Sequence, residues 1–190
     1  MKKILLIAAS ALVAISAAAQ PKFAHVNFSE LVQLSPEADK ARATMAASSK
    51  EAQETYQAMV EEFNTKWSQY EAKANTWTAA IKASKEKEIQ EIQQRIQEFG
   101  QTVDAELQQQ QQTLMAPIVK KAQDTVKELA KQGGYVYVFD VGSLMYYDEA
   151  QSTDLTPLAR KALGIADDRT LESLQAELQA QQQAQTPAAN

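Results

Sequence analysis

Between Pro36 and Lys131 only two helix breakers occur, Gly100 and Pro117. A stretch that long with so few breakers admits one reading, long helices, and the spacing of its apolar residues says how many. With ~100° per residue, Met45, Ala52, Met59, Val60, Phe63, Trp67, Tyr70, Ala74, Trp77 and Ile81 fall within an arc of roughly 100° around Tyr56. A second stripe follows in Ile89, Ile92, Ile96, Phe99, Val103, Leu107 and Leu114. Its spacings alternate three and four, the seam pattern of helices that wrap each other. Two rods of similar length, each with one apolar stripe, predict an antiparallel hairpin over 36–131. Each arm runs to roughly 45 residues, or ~70 Å at 1.5 Å per residue, too long for the core of one small domain. No Gly or Pro marks the turn, so the tip is placed at the midpoint, 79–87, with Ser84 as a cap for the second helix.

Inside the second arm, Gly100 costs ~1 kcal/mol relative to Ala, and Pro117 removes a backbone hydrogen bond and predicts a kink near Thr113. Both are hinge candidates. Past Pro117 the apolar pattern broadens through Ile118, Val119, Ala122, Val126 and Leu129, as expected where a helix changes partner and enters a different body.

Short β segments flank the hairpin. Phe23–Phe28 alternates like a strand, Ser29–Leu34 reads as a connector, and Ser35-Pro36 opens the first arm. Gly133-Gly134 ends the second arm. Tyr135–Phe139 is the strongest strand signal, and Leu144–Tyr147 reads as its return. A short helix follows Asp154 and closes at Gly164, then a Gln/Ala-rich tail covers 166–190. The fold class is therefore α+β, mostly α: a long helical hairpin on a small β-body made of 20–35 and 132–165. Three short strands are too few to be stable alone and leave open edges, so self-association is expected.

The first residues are expected to be a signal peptide, 1–19. Lys2 and Lys3 precede the apolar run Ile4–Ile15, and Ala17-Ala18-Ala19 suits cleavage before Gln20. Cleavage would take the formal charge from -5 to -7 through loss of the two lysines. There is no cysteine, so disulfides and thiol metal sites are excluded. An acidic chain without a basic stripe argues against nucleic acid. His25, the only histidine, has no partners in its own segment, and Asp140, Asp148, Glu149 and Asp154 fit turn and cap roles. The sequence offers no Gly-rich phosphate loop, zinc spacing or nucleophile with its base, so neither an enzyme nor a cofactor is expected.

These residues resemble the OmpH/Skp-like periplasmic chaperone family. The resemblance rests on order: a strand after the signal peptide, a charged hairpin, Leu114-Met115-Ala116-Pro117-Ile118, Gly134-Tyr135 with Val138 and Asp140, and Asp154-Leu155-Thr156. It runs to about Ile165. It implies a homotrimer whose strands form a β-barrel body and whose hairpins surround a cavity. Unfolded outer-membrane proteins are held there without nucleotide, in the periplasm, before membrane insertion. The family's best-known members are basic. This chain is acidic, which argues against membrane-surface contact. Met59, Phe63, Trp67, Tyr70 and Trp77 become candidate client contacts, although bulky side chains of this kind also fill helix interfaces. A different class remains open: a structural or adaptor coiled-coil protein of the cell envelope, which would bury the same aromatics completely.

Overall fold

The computed structural model describes residues 21–185; the expected signal peptide, with Ala19 and Gln20, lies outside them. Strand β1, Lys22–Val26, leads into a short helix α1, Phe28–Gln33. Two long helices follow, α2 at Pro36–Lys73 and α3 at Ala79–Gly133. Strands β2, Tyr135–Asp140, and β3, Ser152–Asp154, precede helices α4, Thr156–Leu163, and α5, Leu171–Gln185. By packing, residues Pro36–Lys120 form one unit and the other described residues form another. The last turns of α3 thus group with the sheet, earlier than the expected boundary at Lys131.

In the sheet unit β1 is central, in the order β2-β1-β3, and both neighbours run parallel to it. This corrects the expected return strand at Leu144–Tyr147. That segment pairs with nothing in the sheet, and Ser152–Asp154 takes the place beside Phe23–His25. Three polar residues carry no hydrophobic strand signal. Their pairing is made by backbone and by the hydrogen bond between His25 Nδ1 and Ser152 Oγ at 2.8 Å.

The expected connector after β1 is also a helix. Asn27 Oδ1 accepts from Glu30 N at 3.1 Å, satisfying an otherwise orphan donor of the first turn. Asn27 and Glu30 form a start signal that the strand reading of Phe28 overlooked. The unit's core is built from Ala24, Val26, Leu31, Leu34, Leu155, Ala159 and Leu163, all buried.

One guanidinium organises the far end of this unit. Arg160 on α4 pairs with Glu30 on α1 and donates to the carbonyls of Ala166 and Arg169, both at 2.7 Å. Gly164 makes the sharp exit from α4 possible at φ 72°, and Ile165 N then donates back to Arg160 O at 2.9 Å. Leu174 of α5 is buried, so the start of the Gln/Ala-rich tail is a packed helix.

In the hairpin unit, α2 and α3 run antiparallel. Lys66 pairs with Glu88, Glu62 with Arg95 at 3.0 Å, and Ser48 with Gln110 at 3.0 Å, each pair straddling the connection almost symmetrically. Ile89 and Ile92 are buried in the seam, with Met59, Phe63, Ile96 and Phe99 half-buried along it. The turn comes earlier than 79–87. A short 3-10 turn at Ala74–Thr76 and an extended Trp77 end α2, and Thr78 opens α3 by accepting from Lys82 N at 2.9 Å. Ser84 lies inside α3. The small, β-branched and polar run Ala74-Asn75-Thr76-Trp77-Thr78 breaks the helix without Gly or Pro. Pro117 does not interrupt α3, which continues as helix on both sides of it.

Replacing Arg160 by Ala strips partners from Glu30 and from two carbonyls at once. We expect a loss of about 2–3 kcal/mol, read by urea unfolding, with faster hydrogen exchange in α5 than in α2.

Candidate functional site

Two surfaces leave large apolar side chains in water. The first lies on the hairpin. Residues 63, 67 and 70 succeed each other at i, i+4 and i+7, and so share one side of α2. Their rings form a ladder: Phe63 to Trp67 at 6.2 Å, Trp67 to Tyr70 at 6.1 Å and Tyr70 to Trp77 at 6.0 Å between centroids. The ladder is not all seam. Trp67 is 44% exposed and Tyr56 likewise, on the flank of α2, while Met59, Phe63, Tyr70 and Trp77 are half-buried. Trp77 belongs to the turn instead of the helical stripe, and Ile81, also exposed, follows it on α3.

Polar groups fasten the ladder's far end. The Tyr70 hydroxyl donates to Glu86, which raises its pKa, and Lys82 Nζ sits 5.9 Å from the Tyr70 ring centre. One turn away Lys66 bridges the seam to Glu88, which also accepts from Lys85 at 2.8 Å. Hydrogen bonds from Lys66 and Lys85 hold the Glu88 carboxyl down to about 2, and the bond to Glu88 raises Lys66. Charges thus tie the two helices together beside the ring ladder of α2.

Of the two hinge candidates, Gly100 is exposed and a methyl group added there would meet nothing within 4 Å. No packing demands a glycine at that place in the helix. Pro117 is exposed as well.

The second surface is on the sheet. β2 is an edge strand, and its outer edge is unpaired. Phe23, Tyr137 and Phe139 stack on one another at 6.3 and 5.9 Å and stay between 36% and 58% exposed. Met145 and Tyr146, in the loop before β3, are more exposed still. Sequence reasoning marked this strand for its β propensity but missed the aromatic platform: Tyr137 and Phe139 alternate onto one face of β2, and the register sets Phe23 of β1 opposite Tyr137.

The structure also assembles a Ser/His/Asp set that the sequence did not reveal: Ser152, His25 and Asp154, the last at 3.9 Å from His25 Nε2. Each member has a structural task. His25 is buried under the Tyr147 ring, Ser152 ties it to β3, and Asp154 Oδ1 accepts from Thr156 N at 2.8 Å to open α4. Asp140 accepts from Phe28 N and Gly142 N, and Asp148 from Ala150 N, the cap and turn roles their residue types suit.

A charged helical hairpin whose two ends lead into one small open-edged sheet, with aromatic side chains left in water on both units, defines a class of hairpin-bearing proteins. The model of the OmpH family, outer membrane protein (OmpH-like), matches residues 22–163, and the chain belongs to that family. It is similar to the chaperone protein Skp of Yersinia enterocolitica, 28% identical over 146 residues that span 77% of this chain and 88% of the relative. The fold is that of a crystal structure of a candidate outer membrane chaperone (OmpH-like) from Caulobacter crescentus CB15. The TM-score is 0.67 at 14% identity, over 80% of this chain and 90% of that one. Helix α5 lies beyond the span of the family model.

The depressed Glu88 carboxyl makes the hairpin's stability depend on acid. Its contribution is present above the unfolded value of about 4.5 and is lost as pH falls towards 2. Wild type should therefore melt above Glu88→Gln at neutral pH, and the two melting temperatures should converge as pH drops through that window, followed by circular dichroism. The raised Lys66 adds a second limb, present below 10.5 and lost above its raised value.

Proposed function

We propose that the protein is an ATP-independent holdase of the periplasm, which binds unfolded outer-membrane β-barrel proteins and keeps them from aggregating before insertion. The observation that carries this reading is the Phe63–Trp67–Tyr70–Trp77 ladder, with Trp67 left 44% exposed on a long helical arm. A helix interface that served packing alone would enclose that indole. Exposed aromatic and Met side chains bury much area against varied partners with little geometric demand. Unfolded clients share no sequence, so many weak contacts suit them better than one shaped pocket, and effective concentration makes the sum tight while each contact stays exchangeable. Release then needs no nucleotide: the client leaves when membrane insertion offers lower free energy.

The working form we propose is a homotrimer closed through the sheet units. What supports it is the open edge of β2, together with the Phe23, Tyr137, Phe139 and Met145 side chains in water. A single three-stranded sheet with such an edge is an aggregation hazard unless copies of the chain cover it. Tyr137→Lys should leave helix content unchanged and shift the mass found by multi-angle light scattering from trimer to monomer. A wild-type protein that is monomeric at micromolar concentration would refute the assembly.

Client holding is tested by diluting a urea-unfolded β-barrel protein and following light scattering with and without the protein. Tyr70→Ala or Trp77→Ala alone should change suppression little. Phe63→Ala, Trp67→Ala, Tyr70→Ala and Trp77→Ala together should abolish most of it while the protein stays helical and assembled. Unaltered suppression by the folded quadruple variant would reduce the ladder to packing.

Gly100 and Pro117 are the proposed points of compliance that let an arm adapt to clients of different size. Gly100→Ala has open space for its methyl group and should add ~1 kcal/mol to arm stability. Hydrogen exchange over 97–119 should slow in that variant and slow further with Pro117→Ala; unchanged exchange would remove the hinges.

A further inference from the structure

An open groove of about 390 Å³ lies in the sheet unit between β2 and the last turns of α3. Val26, Phe28, Val126, Ala130 and Val138 line it, and all but Val26 are only half-buried. Two charged side chains stand in it. Asp140 is engaged, accepting from Phe28 N at 3.2 Å and from Gly142 N at 3.3 Å. Lys127 is exposed and pairs with no carboxylate among the described residues. The same unit carries the complement. In the loop between β2 and β3, Met145 and Tyr146 are 106% and 82% exposed, the most exposed of the large hydrophobic side chains described. Asp148 and Glu149 follow them in that loop, both exposed.

The loop does not fill its own groove. Register and alternation put Val26, Val138 and Asp140 on one face of the sheet, and His25, Tyr137 and Phe139 on the other. Tyr147 closes on His25, with 4.4 Å between ring centres, and so fastens the loop over the second face. The groove is on the first.

We infer that the Met145–Tyr146 loop of one copy seats in the groove of the next copy of this chain. The inference rests on the homotrimer proposed above and names the segment that locks it. Three observations single out a second copy as the occupant. The acids at 148 and 149 approach an unpaired lysine, so the charges are complementary. The groove shares β2 with the open edge of the sheet, so a copy that covers the edge already lies beside the groove. The two apolar side chains leave water for an apolar lining, which favours association by roughly tenfold or more for each. Loop and groove are different patches of one chain, and contacts of that kind run head to tail and close into rings where the rotation allows.

The test uses the full chain, whose lack of cysteine makes any introduced pair unambiguous. Met145→Cys is combined with Ala130→Cys, and separately with Gln123→Cys at an exposed residue of the groove. Treated with a short bismaleimide at micromolar concentration, both double variants should run as covalent dimers and trimers on a denaturing gel, and every single variant as monomer. Absence of cross-links overturns the inference. So does a cross-link within one copy, which returns the loop to its own groove, or joining of the Met145→Cys single variant, which sets loop against loop. Met145→Ser with Tyr146→Ser changes no buried residue, and circular dichroism checks that the fold stands. Its half-assembly concentration should rise roughly 100-fold, and an unchanged midpoint overturns the inference as well. Wild-type mass is measured alongside by light scattering. A wild-type trimer without the cross-links sinks the loop docking alone; a wild-type monomer sinks the trimer with it.

Discussion

The structure depends on one five-residue strand that is paired along both edges. β1 precedes the hairpin, β2 and β3 follow it, and both lie parallel to β1. Parallel neighbours cannot be joined by a tight turn, so every connection in this sheet is long. The connection from β1 to β2 contains both long helices. β1 thereby ties together the two ends of the hairpin, and its buried residues Ala24, His25 and Val26 anchor the core against which α1 and α4 are placed. Side-chain bonds extend the same tie: Asn27 N donates to Thr156 Oγ1 at 3.0 Å and Phe28 N to Asp140 Oδ1 at 3.2 Å.

Within the hairpin, two kinds of interaction divide the work. Apolar contact along the seam supplies the drive for the helices to pair, but aromatic rings of unequal size do not define register well. Cross-helix charges do. Lys66–Glu88 and Glu62–Arg95 are partly exposed, and such pairs contribute modestly to stability and are weakened by salt. They lie towards the Ala74–Thr78 turn, where the aromatic ladder also sits, so alignment and apolar exposure coincide in the same half of the hairpin.

The sequence made the long helices legible because their apolar period persists over many turns, and it made the exits at Gly134 and Gly164 legible because both positions have positive φ. It misplaced elements whose signal is polar. β3 is Ser-Thr-Asp, held by backbone pairing and His25; α1 is started by the Asn27 side chain; and the turn at Trp77 follows from capping by Thr78. Among the candidate contacts, the stripe grouped Trp67 and Trp77 with Phe63, yet the rings sit in three different situations: a flank, a turn and a seam. Helical angle alone cannot separate these, because exposure is decided by where the partner helix passes. The aromatic platform on β2 was hidden for a related reason: its neighbour Phe23 is distant in sequence.

The long parallel connection has a consequence for the order in which the molecule can be made. β1 is near the start of the chain, and its partners lie more than a hundred residues later, with Lys22 opposite Tyr135 and Phe23 opposite Ser152. A chain emerging from its N-terminus first exposes β1 with nothing to pair with, and the entropy of closing so large a loop opposes pairing until late. The hairpin changes that arithmetic. Its helices form from local contacts, and once folded back at Ala74–Thr78 they carry the chain out and return it, shortening the effective gap between the strands to a few residues on either side. The helical arm is then a kinetic device as well as a surface: the segment that separates the strands in sequence is the one that delivers them to each other.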